Sequence, residues 1–526
     1  MKEAEYFEKD LEEFVGNPYI AALPADIDPL HYAARLLVVP PFSEECRSFS
    51  KKQRLKLLTR ISNLHIPTIH DTDIAQNFER CLCWGYVRRN PMPFDVVRQA
   101  LEEKGVQPDY ALENYLTGYL APAYGFPVFG ISGVGKTCSV LNVAKKYDQV
   151  IHHTMYRGVG FNRTQLVWLR VECPGDGTPK GLCTAIFQAI DEVLGTQYVQ
   201  EFVKSRTSKD LLILKAGSLI QTLGLGVLII DDIQNLHGAK ESVSNELLSF
   251  LINLMENIKV PVIMVGTPKI LEVLQKEFQQ AKRATGEGAI YMDLLKKDSK
   301  EWENLITAIW KFQYTQKVIP LSDELKDAFY DETVGNPFLV SILYKLIQDD
   351  AIISEREEFT AKDIQRVAKD KLGITAEMRK NMRDGKDEEL NRYKIYWNAA
   401  SVQMGAPSST PRKSVDASRK TRQDLEIGQL RNQVLEKLTE ALYEENLDDK
   451  ELRNIADRAI YGNPGCKDPQ ELLIYAISLH NADLAGLSDE ENGEDEAGLL
   501  GPDRKKDTLG YEDLKEGGLI GEDIPF

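Results

Sequence analysis

The chain has 526 residues, 43% hydrophobic and 28% charged, a globular composition too long for a single core, so about two to four domains are expected. A formal net charge of −17 argues against a protein that coats DNA by bulk electrostatics, but much of the negative charge sits in the C-terminal tail, so a local basic surface stays open. Met1 to Glu13 is charged and lacks a signal-peptide core, no long apolar run suggests a membrane span, and the seven cysteines lack paired zinc-ligand spacing. A cytoplasmic protein with reduced, mostly structural thiols is expected.

Phe7 to Leu23 reads as a helical segment broken at Gly16-Asn17-Pro18, which either docks on the rest or waits for a partner. From Lys51 the run KKQRLKLLTRISNLHIP is basic and helix-compatible until Pro67, suiting a solvated helix face or a nucleic-acid face. His65 and His70 lack a third ligand and read as ordinary loop histidines. Ile74 to Tyr86 is helical; after it, Arg88 and Arg89 are either solvated or set to meet phosphate or acidic groups.

Gly130-Ile131-Ser132-Gly133-Val134-Gly135-Lys136-Thr137 fits the phosphate-loop pattern G-x-x-x-x-G-K-[ST] without departure. Its glycines let the backbone turn its N–H groups toward phosphate oxygens, Lys136 reaches the β- and γ-phosphates of ATP, and the Thr137 hydroxyl suits Mg²⁺. Context agrees, because Pro127-Val128-Phe129 suits a buried strand and a helix opens at Cys138, with its N-terminal dipole toward the anion. A second strand is expected over Gln165 to Val171, then a turn and a helix from about Thr178 to Leu194.

Leu225-Gly226-Val227-Leu228-Ile229-Ile230-Asp231-Asp232 is an apolar run ending in two carboxylates, the form of a central parallel strand delivering acids to its C-terminal edge. Asp231 would hold Mg²⁺ and Asp232 would orient the attacking water. Leu247, Leu248, Phe250, Leu251, Leu254 and Ile258 form a core-facing helical stripe, and Val260 to Val265 is the next buried strand, ending at Gly266-Thr267. Thr267 is either a γ-phosphate contact or turn chemistry. In the glycine-bearing loop after it, Arg283 is either solvated or a residue that completes a neighbouring subunit's site. Leu305 to Ile347 reads as a helical lid, with Pro337 at a helix start.

Gly405 to Arg422 reads as a basic linker, followed by a helical unit with apolar spacing at Val434, Leu438, Leu442, Leu472 and Ala476. Ile427, Leu430, Leu473 and Leu479 belong to the same apolar spacing; beyond this unit the chain is glycine-rich and acidic, and disorder is expected there, with Leu519, Ile520, Ile524 and Phe526 as a candidate partner-binding peptide.

In GISGVGKT, LGVLIIDDIQNL, VPVIMVGTPKI, AKRATGEGAIY, NPYIAALP and GYVRRNP the sequence resembles the TnsC family, AAA+ ATPase regulators of Tn-seven-like bacterial transposons. The likeness runs from near residue 14 to about residue 400 and weakens through the C-terminal helical unit. It implies an α/β fold of the AAA+ P-loop NTPase type, with a parallel sheet, a helical lid and mostly helical N- and C-terminal extensions. The chain then divides into an N-terminal partner-binding extension (1–100), the nucleotide-binding core (101–300), the lid and following helices (301–404), the basic linker (405–422), the small helical unit (423–482) and the acidic tail (483–526).

The resemblance further implies a bacterial cytoplasmic ATPase that oligomerises as a ring or filament on double-stranded target DNA. A target selector of the TnsD or TniQ kind would meet one end of that assembly, and transposase subunits of the TnsA and TnsB kind would be recruited through other surfaces, the tail among them. The phosphate-loop backbone, including Gly130, Ser132, Gly133, Val134 and Gly135, together with Lys136, Thr137 and Cys138, would hold ATP; Thr137 and Asp231 would hold Mg²⁺. Asp232, Thr267 and Arg283 would carry catalysis, and Thr178 and Lys180 are the candidates for duplex contact. The second acid is Asp232 where many relatives carry Glu, a carboxylate held roughly one C–C bond farther back, so slow hydrolysis is expected. Two other functions fit the same core: a helicase-loader or initiator ATPase, and an ATP-binding scaffold without turnover.

Overall fold

The computed structural model describes residues 2–24, 32–106, 123–204, 206–238, 241–268 and 288–384, with parts of 434–477. The chain divides into two compact units, Met1–Arg419 and Lys420–Phe526. In the first, the strands are β1 (Lys2–Glu3), β2 (Phe126–Gly130), β3 (Val150–Tyr156), β4 (Val159–Leu166), β5 (Trp168–Glu172), β6 (Val227–Asp231), β7 (Val262–Gly266) and β8 (Ile290–Met292). The longer helices are α1 (Ile69–Val87), α2 (Lys136–Ala144), α3 (Pro179–Leu194), α4 (Lys209–Thr222), α5 (Glu241–Glu256), α6 (Lys300–Trp310), α7 (Asp323–Thr333), α8 (Pro337–Ile353) and α9 (Ala361–Lys371).

Five strands form a wholly parallel sheet in the order β5-β6-β7-β2-β8. Its strands read as unbroken apolar runs because both faces are covered. Along β6, Val227 and Ile229 face a core shared with α1 and α2, while Leu228 and Ile230 face a second core shared with α3, α4 and α5. The stripe Leu247, Leu248, Phe250, Leu251 and Leu254 is buried in that second core. This is the α/β AAA+ architecture, with helices on both faces of the sheet and a helical lid.

Strand order decides where the chemistry meets. The phosphate-loop strand β2 and the acidic strand β6 are not neighbours; β7 runs between them, with Phe129 opposite Gly266 and Ile230 opposite Met264. The C-terminal ends of all three therefore emerge at one edge of the sheet.

The strand expected over Gln165 to Val171 is two strands. β4 pairs antiparallel with β3 in a separate three-stranded sheet, order β1-β3-β4, and β5 joins the main sheet after Val167. Continuous apolar character conceals such a change of partner, because hydrophobic patterning does not specify which sheet a strand joins.

The segment Phe7 to Leu23 docks on the rest of the chain, and its regular structure is limited to the turn Glu12–Phe14 and the short helix Pro18–Ala21. Asn17 caps that helix by accepting from the Tyr19 N–H at 3.1 Å, and its amide donates to the Tyr86 carbonyl at 2.9 Å. Phe14, Tyr19, Ile20 and Leu23 share one core with α1 and the sheet. Of the two arginines after α1, Arg89 is not simply solvated: its guanidinium donates to the carbonyls of Gly85, Leu225 and Gly226, tying α1 to the approach to β6.

The basic run after Ser50 is neither wholly solvated nor a free cationic face. It forms the helix Lys51–Leu57 and the turn Leu58–Asn63, and Leu58 and Ile61 enter the lid's core beside Trp302, Phe329 and Tyr344. Arg54 is 2% exposed and pairs bidentately with Glu357, both bonds 2.7 Å, while also donating to the Tyr314 carbonyl. Lys51 reaches Glu355, and Lys52 and Lys56 remain exposed.

Lys420–Phe526 carries its own small core, in which Val434, Leu438, Leu442, Leu472 and Ala476 join Leu452, Ile455 and Ala459 of the helix Asp449–Gly462. Arg283, the linker 405–422 and the tail 483–526 lie outside the described residues. Among the described residues no helix is long and apolar enough to cross a membrane, no group of His, Cys, Asp or Glu is arranged to hold a metal ion by itself, and Cys46, Cys81, Cys83, Cys138, Cys173 and Cys183 are free thiols.

Candidate nucleotide site

Gly130 ends β2, and the loop from Ile131 leads into α2, whose N-terminal boundary is Gly135. Gly133 and Gly135 have φ of +86° and +99°, left-handed values that strain any residue with a side chain. At Gly133 space is also lacking, since a Cβ would lie 2.7 Å from the Asn336 amide oxygen. The loop thus presents its amides at the start of a helix, where backbone donors and the helix dipole both favour an anion. Lys136 is 9% exposed and donates to the Ile131 carbonyl at 2.8 Å, folded back along the loop that its ammonium would leave for phosphate oxygens.

At the tip of β6, Asp231 is 2% exposed and its two oxygens have separate partners. Oδ1 accepts from the Thr137 hydroxyl at 3.0 Å and from the Asp232 N–H at 3.0 Å; Oδ2 accepts from Arg170 Nε at 3.0 Å and Nη2 at 2.7 Å. A hydroxyl and a carboxylate converging in this way are the hard oxygen ligands that Mg²⁺ takes, so Thr137 and Asp231 fit the ion. Arg170 is absent from the motif reading. It lies opposite Ile229 in the parallel register, so its side chain shares Asp231's face of the sheet. The signal that would have found it is a cation in an otherwise apolar strand beside the acidic one.

Asp232 has φ of +53°, so the chain leaves β6 abruptly. Its Oδ1 accepts from Gln234 Nε2 at 2.8 Å, and Gln234 Oε1 accepts from the Thr267 N–H at 3.0 Å. The Thr267 hydroxyl is buried without a hydrogen-bond partner at the end of β7. The structure therefore brings Lys136, Thr137, Asp231, Asp232 and Thr267 to one sheet edge, as the motifs require. Thr178 caps α3, accepting from the Gly181 N–H at 2.9 Å and donating to Asp176, while Lys180 beside it is exposed.

The lid touches the phosphate loop directly. Asn336 caps α8 with its amide oxygen while its Nδ2 donates to the Ser132 carbonyl at 3.0 Å, and the Phe338 N–H donates to the Gly133 carbonyl at 3.2 Å. Beneath this clasp lies a cavity of about 80 Å³ between Val134, Gly135 and Ser139 of the loop and α2, Leu305 and Ile309 of α6, Pro337 and Ser341 of α8, and the stretch Ile61 to Asp71. The hydroxyls of Ser139 and Ser341 are buried there without partners. Three parts of the chain thus enclose a small space beside the phosphate loop.

His65 borders this cavity. Its Nε2 lies 2.8 Å from Asp71 Oδ1, and its Nδ1 lies 3.8 Å from the Sγ of Cys138, itself an exposed residue on α2. Burial alone would pull the imidazole down, but the hydrogen bonds to Asp71 and Cys138 and the charge of Asp71 outweigh it and hold His65 up at about 10. Burial likewise opposes the Asp71 carboxylate, yet His65 and the two bonds from Thr68 keep it below the ordinary range. His65 is a charged partner in a buried pair rather than an ordinary loop histidine.

Residues 125–274 match the AAA domain family. No curated protein sequence matches the chain. Among solved structures the chain is similar to the Walker-type ATPase PABY2304 of Pyrococcus abyssi, at 13% identity and a TM-score of 0.31, covering 57% of this chain and 84% of that one. It is also similar to the ORC2 protein of Aeropyrum pernix, solved as ADPNP and ADP complexes, at 11% identity and a TM-score of 0.33, covering 74% and 86%. The RuvB Holliday junction branch-migration motor of Thermotoga maritima follows at 15% identity and a TM-score of 0.29, covering 60% and 81%. With the phosphate loop, the acidic strand tip and the parallel sheet in register, the chain carries an AAA-type P-loop ATPase domain.

Proposed function

We propose that this chain is an ATP-dependent, DNA-binding regulator of transposition of the TnsC kind. It assembles as a ring or filament on duplex target DNA, meets a target selector of the TnsD or TniQ kind, and recruits transposase subunits of the TnsA and TnsB kind; slow hydrolysis resets the assembly. The observation that carries the nucleotide-dependent part is the clasp of Asn336 and Phe338 on the carbonyls of Ser132 and Gly133. Any rearrangement of the phosphate loop on binding a triphosphate moves acceptors that the lid holds, so nucleotide state and lid position are linked. The transposition part is supported by the sequence likeness, which includes segments outside the ATPase motifs.

Hydrolysis is phosphoryl transfer to water, a reaction governed by positioning and charge stabilisation. The loop amides and Lys136 hold the β- and γ-phosphates. Thr137 and Asp231 hold Mg²⁺, which supplies charge neutralisation at the phosphate oxygens when bound. Asp232 orients water, Thr267 offers its buried hydroxyl to the γ-phosphate, and Arg283 completes the site from a neighbouring subunit. Thr178 and Lys180 face the duplex in this reading.

Lys136→Ala tests the reading through phosphate release and sedimentation with duplex DNA. Both ATP-dependent assembly and phosphate release should disappear; ATP-dependent assembly retained by the variant would overturn the link between nucleotide and oligomer.

A further inference from the structure

We propose that Gln234 positions Asp232 for the hydrolytic water, acting as a bridge between the tips of β6 and β7. The inference rests on the hydrolysis reading above. Both ends of the carboxamide are engaged: Nε2 donates to Asp232 Oδ1 at 2.8 Å and Oε1 accepts from the Thr267 N–H at 3.0 Å. That pairing fixes the amide's orientation, because the flipped form would set oxygen against carboxylate and NH₂ against N–H. Asp232 Oδ1 is thereby occupied, and Oδ2 is left to accept from water.

The surroundings are built for this bridge. At Gly266 a Cβ would come within 2.7 Å of both Gln234 Oε1 and Ile233 Cγ2, so only glycine lets the carboxamide lie across the end of β7. The turn carrying Gln234 is held through Asn235, whose N–H donates to the Asp232 carbonyl at 3.0 Å and whose Nδ2 donates to the Cys173 carbonyl at 2.9 Å. The buried, unpartnered Thr267 hydroxyl belongs to the residue whose N–H Gln234 accepts, and Gly266 lies opposite Phe129 of the phosphate-loop strand. The bridge thus refers the Asp232 carboxylate to the strand that lies against the phosphate loop.

A short acid needs such a reference. Aspartate places its carboxylate close to the backbone, and a misplacement of about 1 Å can cost on the order of a hundredfold in rate. Gln234 locks the side-chain torsions of Asp232 and so holds the free oxygen at one distance. A glutamate at 232 would reach farther and need the bridge less.

The test compares wild type, Gln234→Ala, Gln234→Glu and the double variant Gln234→Ala with Asp232→Glu in the full chain, reading phosphate release, fluorescent-nucleotide affinity and melting temperature. Gln234→Ala should lose about tenfold to a hundredfold in kcat with nucleotide affinity held. Gln234→Glu preserves size but removes the donor to Oδ1, so it should be equally slow. The double variant should regain most of the lost rate. Wild-type turnover in Gln234→Ala would overturn the proposal, as would a Gln234→Glu enzyme at full rate or a double variant no faster than Gln234→Ala. Wild-type protein that releases no phosphate at all would instead overturn the hydrolysis reading, and this inference with it.

Discussion

Single atoms decide what the phosphate loop accepts. Gly133 has both a left-handed backbone and a lid oxygen where a side chain would begin. Gly133→Ala should therefore weaken nucleotide binding by about tenfold or more, since the loop must shift by a fraction of an ångström and remote misplacement is costly; fluorescent-nucleotide titration reads this directly. His65 supplies a pH signature. Its pKa is raised in the fold, so its pairing with Asp71 stabilises fully below the unfolded histidine value near 6.5 and is lost as pH rises toward about 10. The melting-temperature difference between wild type and His65→Gln should shrink over that window, and a constant difference would contradict the charged pair. Asp71 has a lowered pKa, so its contribution is present above the unfolded carboxylate range and is lost as pH falls through its folded value.

Residue by residue, legibility followed local spacing. That Lys136, Thr137, Asp231, Asp232 and Thr267 lie at one sheet edge is readable because a phosphate loop, an acidic strand tip and a strand-ending turn are each written in a few consecutive letters. Arg170, Gln234 and Asn336 acquire their roles from other strands or from the lid, across 61, 33 and 204 positions. No local pattern encodes those distances. His65 has no third metal ligand in its sequence surroundings, and its actual partner is a carboxylate six residues on.

At the scale of elements, apolar periodicity located α5, β6, β7 and the small C-terminal core. It missed the division between β4 and β5, because both are apolar and only pairing separates them. Charge misled more than hydrophobicity did. The stretch around Lys51 is basic, yet Arg54 is an internal staple, with Glu357 below the usual carboxylate range chiefly through its hydrogen bond from Arg54. Arg54→Ala would strand a largely buried carboxylate and should cost about 3–5 kcal/mol. Chemical denaturation would show it, and a loss no larger than that of a surface substitution would mean that the pair does not hold the N-terminal stretch on the lid. Since the same stretch lines the cavity beside the phosphate loop, nucleotide affinity should fall in parallel.

For the molecule, the arrangement links three parts of Met1–Arg419: the N-terminal stretch, the sheet with its phosphate loop, and the lid. Each contributes to the walls of one cavity beside the phosphate loop, and the lid also holds the Ser132 and Gly133 carbonyls of that loop. The central claim is that a triphosphate in this site permits assembly on duplex DNA. Electron microscopy of the purified chain with duplex DNA, comparing ATP, a non-hydrolysable analogue and no nucleotide, tests it most directly. Rings or filaments that need both DNA and a triphosphate are the predicted result; discrete particles indifferent to DNA and nucleotide would contradict it.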